Sequence, residues 1–512
     1  MLRSIPLVVG LMIVVGWLSL SMPFRGDEAL FAVVAKDLST GSVLYRDHWD
    51  ITNPGIFWFY QAAGTAFGFR EDGIRLFEWL WLTAFVLAVA EASRRQTRAS
   101  RLPLAPAILV GAVYYAAGYS QTSILTKTEG LAGFPMFLAI WFAARAAQDG
   151  KRVFLWLILA GAAGGVVVLF KLLLGGCLAF VWFYLLAVYI RGRPAKLPAA
   201  LLFIVGIAAG LLLVLGPAIG YFAMKGVSDV LVRTLFELPP RFLAEGDRAG
   251  PDRLAISIKW FLGQYAPVLA AAVLAVGCRL GSRRDPFVVA TMIAFAASLA
   301  ALLAQRLSWW SYHFLLPGTL AGVIAAYCWP AVVEAVRTRL GRPLTLRERA
   351  LLTVSALLLL SESLGAGVYQ TLRLAGHGMG ITAASRKAFR ESTGESYTDA
   401  RAETAWLGEP GAQPGPIYVC GDPLFYWLSA RKPAVPISGW SLEVYPSEIR
   451  AALAEEIRSA APVYVFVSSQ PYRYDILLRD RYPEVSQLLK SDYRPLSTTR
   501  QGIWYERLCH SK

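Results

Sequence analysis

The residues best able to do chemistry in this 512-residue chain are few, and they lie among long apolar runs. An acidic pair, Asp27-Glu28, follows the first such run after Phe24-Arg25-Gly26. A second cluster, Asp47-His48-Trp49-Asp50, precedes a turn at Asn53-Pro54. A carboxylate can take a proton as a general base, and two acids with a histidine can hold a divalent ion or fix a ligand. The plainer reading of Asp27 is an acid stabilising the dipole of a helix that starts there. The second set of residues is cationic: Lys127, Lys171, Arg306 and His313, with Glu129 close to Lys127. A compact ammonium suits an anion such as phosphate, while the plainer reading is a side chain snorkelling to a membrane interface. Lys171 stands apart as the only charged residue in the whole of 153–190.

These residues must be positioned by membrane-spanning helices. The chain is 56% hydrophobic with a mean hydropathy of +0.48. Soluble domains run at about 45–50% apolar. Apolar runs able to cross a ~30 Å hydrocarbon core recur over the first 370 or so residues. The candidate spans are eleven: 5–22, 76–92, 103–119, 131–147, 153–170, 172–190, 198–223, 256–277, 286–304, 314–333 and 350–368. The first is read as an uncleaved span, since no small-x-small cleavage site precedes Phe24 and the run is long for a signal peptide. The formal charge of +15 does not indicate nucleic acid, because the basic residues sit mostly in short loops between spans. Cys177, Cys278 and Cys328 lie in or beside apolar runs as packing residues, and no metal-binding cysteine spacing is present.

Loop charge sets the topology. The loops Arg94–Arg101, Arg145–Arg152, Arg191–Lys196, Arg279–Arg284 and Arg337–Arg349 carry three to five Arg or Lys each. The positive-inside rule assigns them all to the cytoplasm. The chain must therefore cross twice between 152 and 191, which places Lys171 at an outward hairpin. The N-terminus is then cytoplasmic and the tail periplasmic or otherwise extracytoplasmic, in a multi-pass protein of the plasma (inner) membrane. The acids and isolated cations named above all fall on the outward side, where chemistry is expected.

The first outward loop, 23–75, is too long for a plain connector. Leu30, Phe31, Val34, Ala35 and Leu38 have helical spacing. They predict an amphipathic helix lying on the outer membrane surface, followed by an aromatic one after Pro54. In this order and sidedness the chain resembles the GT-C glycosyltransferases, in the branch of protein O-mannosyltransferases, lipid A aminoarabinose transferase and lipopolysaccharide sugar transferases. The resemblance covers most of the chain. It rests on Asp27-Glu28 after span one and on Tyr45-Arg46-Asp47-His48-Trp49-Asp50 running to Asn53-Pro54-Gly55. It rests also on Glu129 at the start of span four, Lys171 after a Gly-rich span, and Tyr312-His313-Phe314-Leu315-Leu316-Pro317. One position departs from the pattern: the family commonly has Lys before that proline, where this chain has Asn53.

The resemblance implies a fold and an activity. The fold is an all-α polytopic membrane bundle, GT-C-like, with a small C-terminal α/β domain. The domains would be 1–370, with the outward loop 23–75, and 385–512. The activity is inverting transfer of a sugar from a polyprenyl-phosphate-linked donor to a lipid, glycan or protein acceptor in the cell envelope. Asp27 would be the general base, with Glu28 as its substitute. Lys127, Lys171, Arg306 and His313 would meet the donor phosphate. Asp47, His48, Asp50 and Glu129 would serve the acceptor or a metal; the family varies in metal use, so a divalent ion is possible and no cofactor is required. Membrane lipids are the other partners expected, and nucleic acid is not one.

The tail alternates strand and helix: strands at Ile417–Cys420, Val463–Val467 and Gly502–Arg507, the last at an edge, and helices at Pro423–Arg431, Ser447–Ala460 and Asp475–Lys490. It reads as a lid or acceptor-docking domain, with Gly421-Asp422 a weak further signal. The stretch 225–255 reads as a mobile outward loop or a connector. A lipid-linked sugar transporter or flippase is the rival reading, although no internal repeat supports it. A non-catalytic scaffold leaves the acidic first loop without a purpose.

Overall fold

The computed structural model describes residues 5–97, 102–148, 151–245, 250–279, 285–305, 309–340, 361–392, 395–469 and 473–508. Eight helices among these are long and apolar enough to cross a membrane, and two shorter apolar helices lie at Ile5–Ser21 and Ala107–Ser120. The eight match eight of the eleven predicted spans, and the two shorter helices lie where spans 5–22 and 103–119 are predicted. Most of the eleventh, 350–368, falls outside the described residues, although Ser361–Ala375 is helical. A helix is the natural outcome of these runs, because hydrocarbon offers no partner to a free backbone N–H or C=O. Contacts gather the chain into two compact units.

The first unit comprises Met1–Leu20, Arg75–Tyr221 and Ala249–Gly380 and holds nearly all the spanning helices. Small residues allow its helices to approach closely. Gly161 and Gly165 on Val153–Phe170, and Gly206 and Gly210 on Lys196–Met224, each form a Gly-x-x-x-Gly step. A Cβ on Gly161 would run into the Ile207 carbonyl, and one on Gly210 into that of Ile158. Such backbone-to-backbone packing is the usual source of helix association in lipid. Arg75 and Glu78, both with fully buried side chains, form an ion pair at 3.5 Å, and the Thr126 amide donates to Glu78 Oε1 at 2.6 Å.

The second unit comprises Ser21–Ile74, Phe222–Arg248 and Ile381–Lys512. Its sheet has the order β1-β2-β4-β3, with β1 Ile417–Cys420, β2 Tyr464–Ser468, β3 Tyr493–Thr498 and β4 Gly502–Arg507. β1 and β2 are parallel, and β4 runs antiparallel to both β2 and β3. Two elements differ from those the sequence predicts. Gly502–Arg507 is an inner strand, because the unforeseen β3 covers its outer side. The predicted helix Asp475–Lys490 is two, Tyr474–Arg481 and Pro483–Asp492. Pro483 forces Tyr482 out of helical geometry, to φ −132°.

The first long loop packs within this unit. The Asp27–Leu38 helix lies against Pro54–Phe67, with the Phe31 ring 5.3 Å from Phe57 and 5.6 Å from Tyr60. Its other faces meet the tail. Asp37 on the helix meets Lys432 at 3.7 Å; just before the helix the Phe24 ring lies tilted at 5.3 Å from that of Trp427, and further along the loop the Trp49 amide donates to the Pro436 carbonyl at 2.9 Å. The helix was expected to lie half-exposed on a membrane surface. Ten of its twelve residues are buried instead, because tail residues cover the face that water was expected to meet. The stretch 228–245 is helical, in Ser228–Val232, Arg233–Glu237 and Leu238–Glu245. Arg233 and Arg241 pair with Glu448, and Glu245 accepts from the Ser447 amide at 2.8 Å.

Candidate functional site

Two clusters gather the predicted site residues, one in each unit. In the second unit the cluster is built at the start of the Asp27–Leu38 helix. Gly26 precedes it at φ +51°, ψ −121°, a conformation that favours glycine. A Cβ there would also lie 2.9 Å from Cζ2 of Trp440. Asp27 and Glu28 occupy the first helical turn, where the backbone dipole favours negative charge. The Trp440 indole N–H donates to Asp27 Oδ1 at 2.6 Å. Glu28 is fully buried, and its carboxylate accepts from the Arg25 amide at 3.2 Å. Asp27 is partly exposed, so only the first acid of the pair is open to a ligand.

The second acidic cluster is spread among separate partners. Asp47 accepts from the Val43 amide at 2.7 Å and pairs with Arg46. The Arg46 hydrogen bond holds its carboxyl below the usual range. His48 Nε2 lies 3.1 Å from Asp37, which also meets Lys432 at 3.7 Å. Burial pushes the Asp37 carboxyl up, but the His48 hydrogen bond and the nearby cations outweigh it and hold it low. Asp50 is buried and accepts from the Thr52 amide at 2.8 Å. Burial pushes its carboxyl up to about 6 against the Thr52 hydrogen bonds, and the charge of Asp27 adds to the rise. Among the described residues no group of three or more His, Cys, Asp or Glu side chains could hold a metal ion. Asn53, standing where the family commonly has Lys, precedes the first residue of Pro54–Phe67.

In the first unit, Lys171 ends the Val153–Phe170 helix, in the hairpin predicted for it. Its ammonium meets Glu129 at 2.7 Å and Gln305 Oε1 at 3.4 Å. His313 Nε2 lies 3.8 Å from the same Glu129 oxygen. These four polar side chains and Ser298 line a small, part-open pocket whose other walls include Leu174, Leu302 and Pro317. Lys127, two residues before Glu129, is buried, its ammonium 4.9 Å from the Tyr312 ring centroid. The pocket therefore brings an ammonium, an imidazole and an amide around the Glu129 carboxylate, beside apolar side chains. Lys171, Glu129 and His313 are brought together, and Arg306 lies outside the described residues. Gln305 and Trp440 were not foreseen. Neighbouring Arg306 was the only local signal for Gln305, and Trp440 sits in a loop without periodicity.

Residues 52–219 match the family model described as dolichyl-phosphate-mannose-protein mannosyltransferase. No curated protein sequence matches the chain. Among solved structures, ArnT from Cupriavidus metallidurans bound to undecaprenyl phosphate matches at TM-score 0.63 and 14% identity, over 98% of this chain and 98% of that one. ArnT from the same organism in the apo state matches at TM-score 0.61 and 14% identity, over 98% and 97%. The likeness shows the fold. The expected GT-C-like architecture, a polytopic helical bundle with a small sheet in its C-terminal part, is borne out, and the chain is a multi-pass membrane protein. The matching family is one of glycosyltransferases, as the sequence resemblance implied.

Proposed function

We propose that the chain transfers a sugar from a polyprenyl-phosphate-linked donor to a hydroxyl of a lipid, glycan or protein acceptor, with inversion at the anomeric carbon. The observation that carries this reading is the Asp27 carboxylate, partly open, at the head of a buried helix and held by the Trp440 N–H. The acceptor oxygen attacks the anomeric carbon as Asp27 takes its proton. The glycosidic C–O bond breaks, and the polyprenyl phosphate leaves with the electron pair. The leaving group is already anionic, so it needs cations rather than an acid. Lys171 is the first candidate for that role, with Lys127, His313 and Arg306. Asp50 and Glu129 are the next acids to consider for the acceptor. The five basic loops support a cytoplasmic N-terminus and a periplasmic tail.

The test uses membranes of a strain lacking the gene, which supply native donors and acceptors, with purified protein added back. Mass spectrometry of the envelope glycans follows the sugar that appears. Asp27→Asn should lower the initial rate about 10²–10⁴-fold, the usual contribution of a positioned base. Near-normal transfer by that variant would remove Asp27 from the mechanism. A lipid-linked sugar flippase, the rival reading, would form no new glycosidic bond in this assay, and no observation favours it.

A further inference from the structure

Gly421-Asp422 and Trp440 belong to the tail, yet they hold the backbone and side chain at the Gly26-Asp27 step. Asp422 Oδ1 accepts from the Gly26 amide at 3.1 Å and from the Leu424 amide at 2.9 Å. One oxygen thus fixes both the residue before the Asp27–Leu38 helix and the first turn of Leu424–Ser429. Trp440 donates to Asp27 Oδ1 at 2.6 Å, and its ring lies 2.9 Å from where a Gly26 Cβ would be. Both tail residues are anchored on β1. The Gly421 amide donates to the Gly439 carbonyl at 3.1 Å, directly after the strand. A Cβ on Gly439 would meet the Val419 carbonyl, so the segment before Trp440 lies flat on β1. The Tyr445 hydroxyl donates to the Trp440 carbonyl at 3.0 Å.

We propose that Trp440 and Asp422 are positioning residues that set the rotamer and height of the Asp27 carboxylate, making the tail a built part of the catalytic machinery. The inference rests on the reading of Asp27 as the general base. A plain packing role would require shape at these positions. A positioning role requires one indole N–H and one acceptor oxygen. The hydrogen bond from Trp440 favours the ionised carboxylate and fixes its plane, while Asp422 fixes the peptide that carries it.

The test reads rate, pH profile and lipid binding in the full-length protein. Trp440→Phe keeps an aromatic ring and removes the N–H. It should lower the transfer rate about 10-fold or more, the scale of a lost hydrogen bond to a charged group. The acid limb of its rate–pH profile should move to higher pH, and binding of undecaprenyl phosphate should stay unchanged. If Trp440→Phe fails to fold, benzothienylalanine at 440 replaces the N–H by sulfur at almost the same shape, and the same results are expected. Asp422→Leu should lose a similar factor, and Asp422→Asn, which keeps the acceptor oxygen, should recover most of it. A Trp440→Phe enzyme with wild-type rate, or with a lower rate and an unmoved acid limb, would overturn positioning. An inactive Asp27→Asn alongside either result leaves the base assignment standing. An active Asp27→Asn removes that assignment and this inference with it.

Discussion

Asp27 and Lys171 are each the charged centre of a cluster, yet their partners differ in kind. Asp27 heads a helix and receives an N–H dipole from Trp440 at 2.6 Å. A neutral N–H donor orients the carboxylate it meets and adds no charge of its own. Lys171 meets a full negative charge, Glu129, at 2.7 Å, with His313 close to the same oxygen. An ion pair cancels the charge it holds, so an incoming anion must share or displace the partner. On the reading proposed above, one cluster is a fixed reagent and the other a seat that changes partners. Substitutions in the first should therefore move rate, and substitutions in the second should move affinity.

The largest effect expected is on rate. Asp27→Asn should lower transfer about 10²–10⁴-fold and leave undecaprenyl phosphate affinity, measured by thermophoresis in detergent, at its wild-type value. A parallel loss of affinity would mean that Asp27 also shapes the donor seat, and the division of labour would fail.

Asp50 sharpens the same contrast through stability. Its carboxyl is raised from 3.8 to about 6 by burial, so the folded state keeps a proton that the unfolded chain releases. The stabilisation is complete below about pH 4 and is lost as pH rises through about 6. Asp50→Asn keeps the oxygen that accepts from Thr52 and removes the titration. The variant should gain on wild type above pH 6 by about 2–3 kcal/mol, seen as a higher thermal midpoint at pH 7.5 than at pH 4.5 relative to wild type. Equal differences at both pH values would show that Asp50 stays ionised in the folded protein.

The two clusters were not equally legible in the sequence. Lys171 was, because strongly basic loops on either side of 153–190 require two crossings, and the hairpin can fall only near its one charge. Spans announce themselves through composition, which is local and cumulative. Asp27 was legible as an acid after a span, but its surroundings were not. Trp440 lies 413 residues away, in a loop whose only signals are Ser, Gly and Pro. The amphipathic spacing of Leu30 to Leu38 described one buried face correctly and left open what would cover the other. β3 escaped notice because Tyr493–Thr498 contains Pro495, a strand breaker, and is exposed over most of its length. Proline is tolerated there because the strand is at the edge and bulges between Pro495 and Ser497. The break at Pro483 was readable from proline chemistry, and the long amphipathic run 475–490 hid it.

Lys171→Met and Glu129→Gln separate the seat from its occupant, and their effects are the smallest. Lys171→Met keeps the length of the side chain and removes its charge. If Lys171 meets the donor phosphate, undecaprenyl phosphate should bind about 10-fold more weakly, one charge-assisted contact being worth roughly that. Glu129→Gln acts in the opposite direction. Gln keeps an acceptor oxygen for the ammonium 2.7 Å away and removes the negative charge that a phosphate would have to approach. Two like charges about 5 Å apart near a protein surface repel by a few kcal/mol before screening, and salt and rearrangement reduce this to about 1 kcal/mol. Affinity should therefore rise about threefold to fivefold, more clearly at low salt than at high salt. A fall in affinity would show instead that Glu129 holds Lys171 in the orientation the anion needs. The cation cluster would then be fixed in the same way as Asp27, and the contrast between the two clusters would disappear.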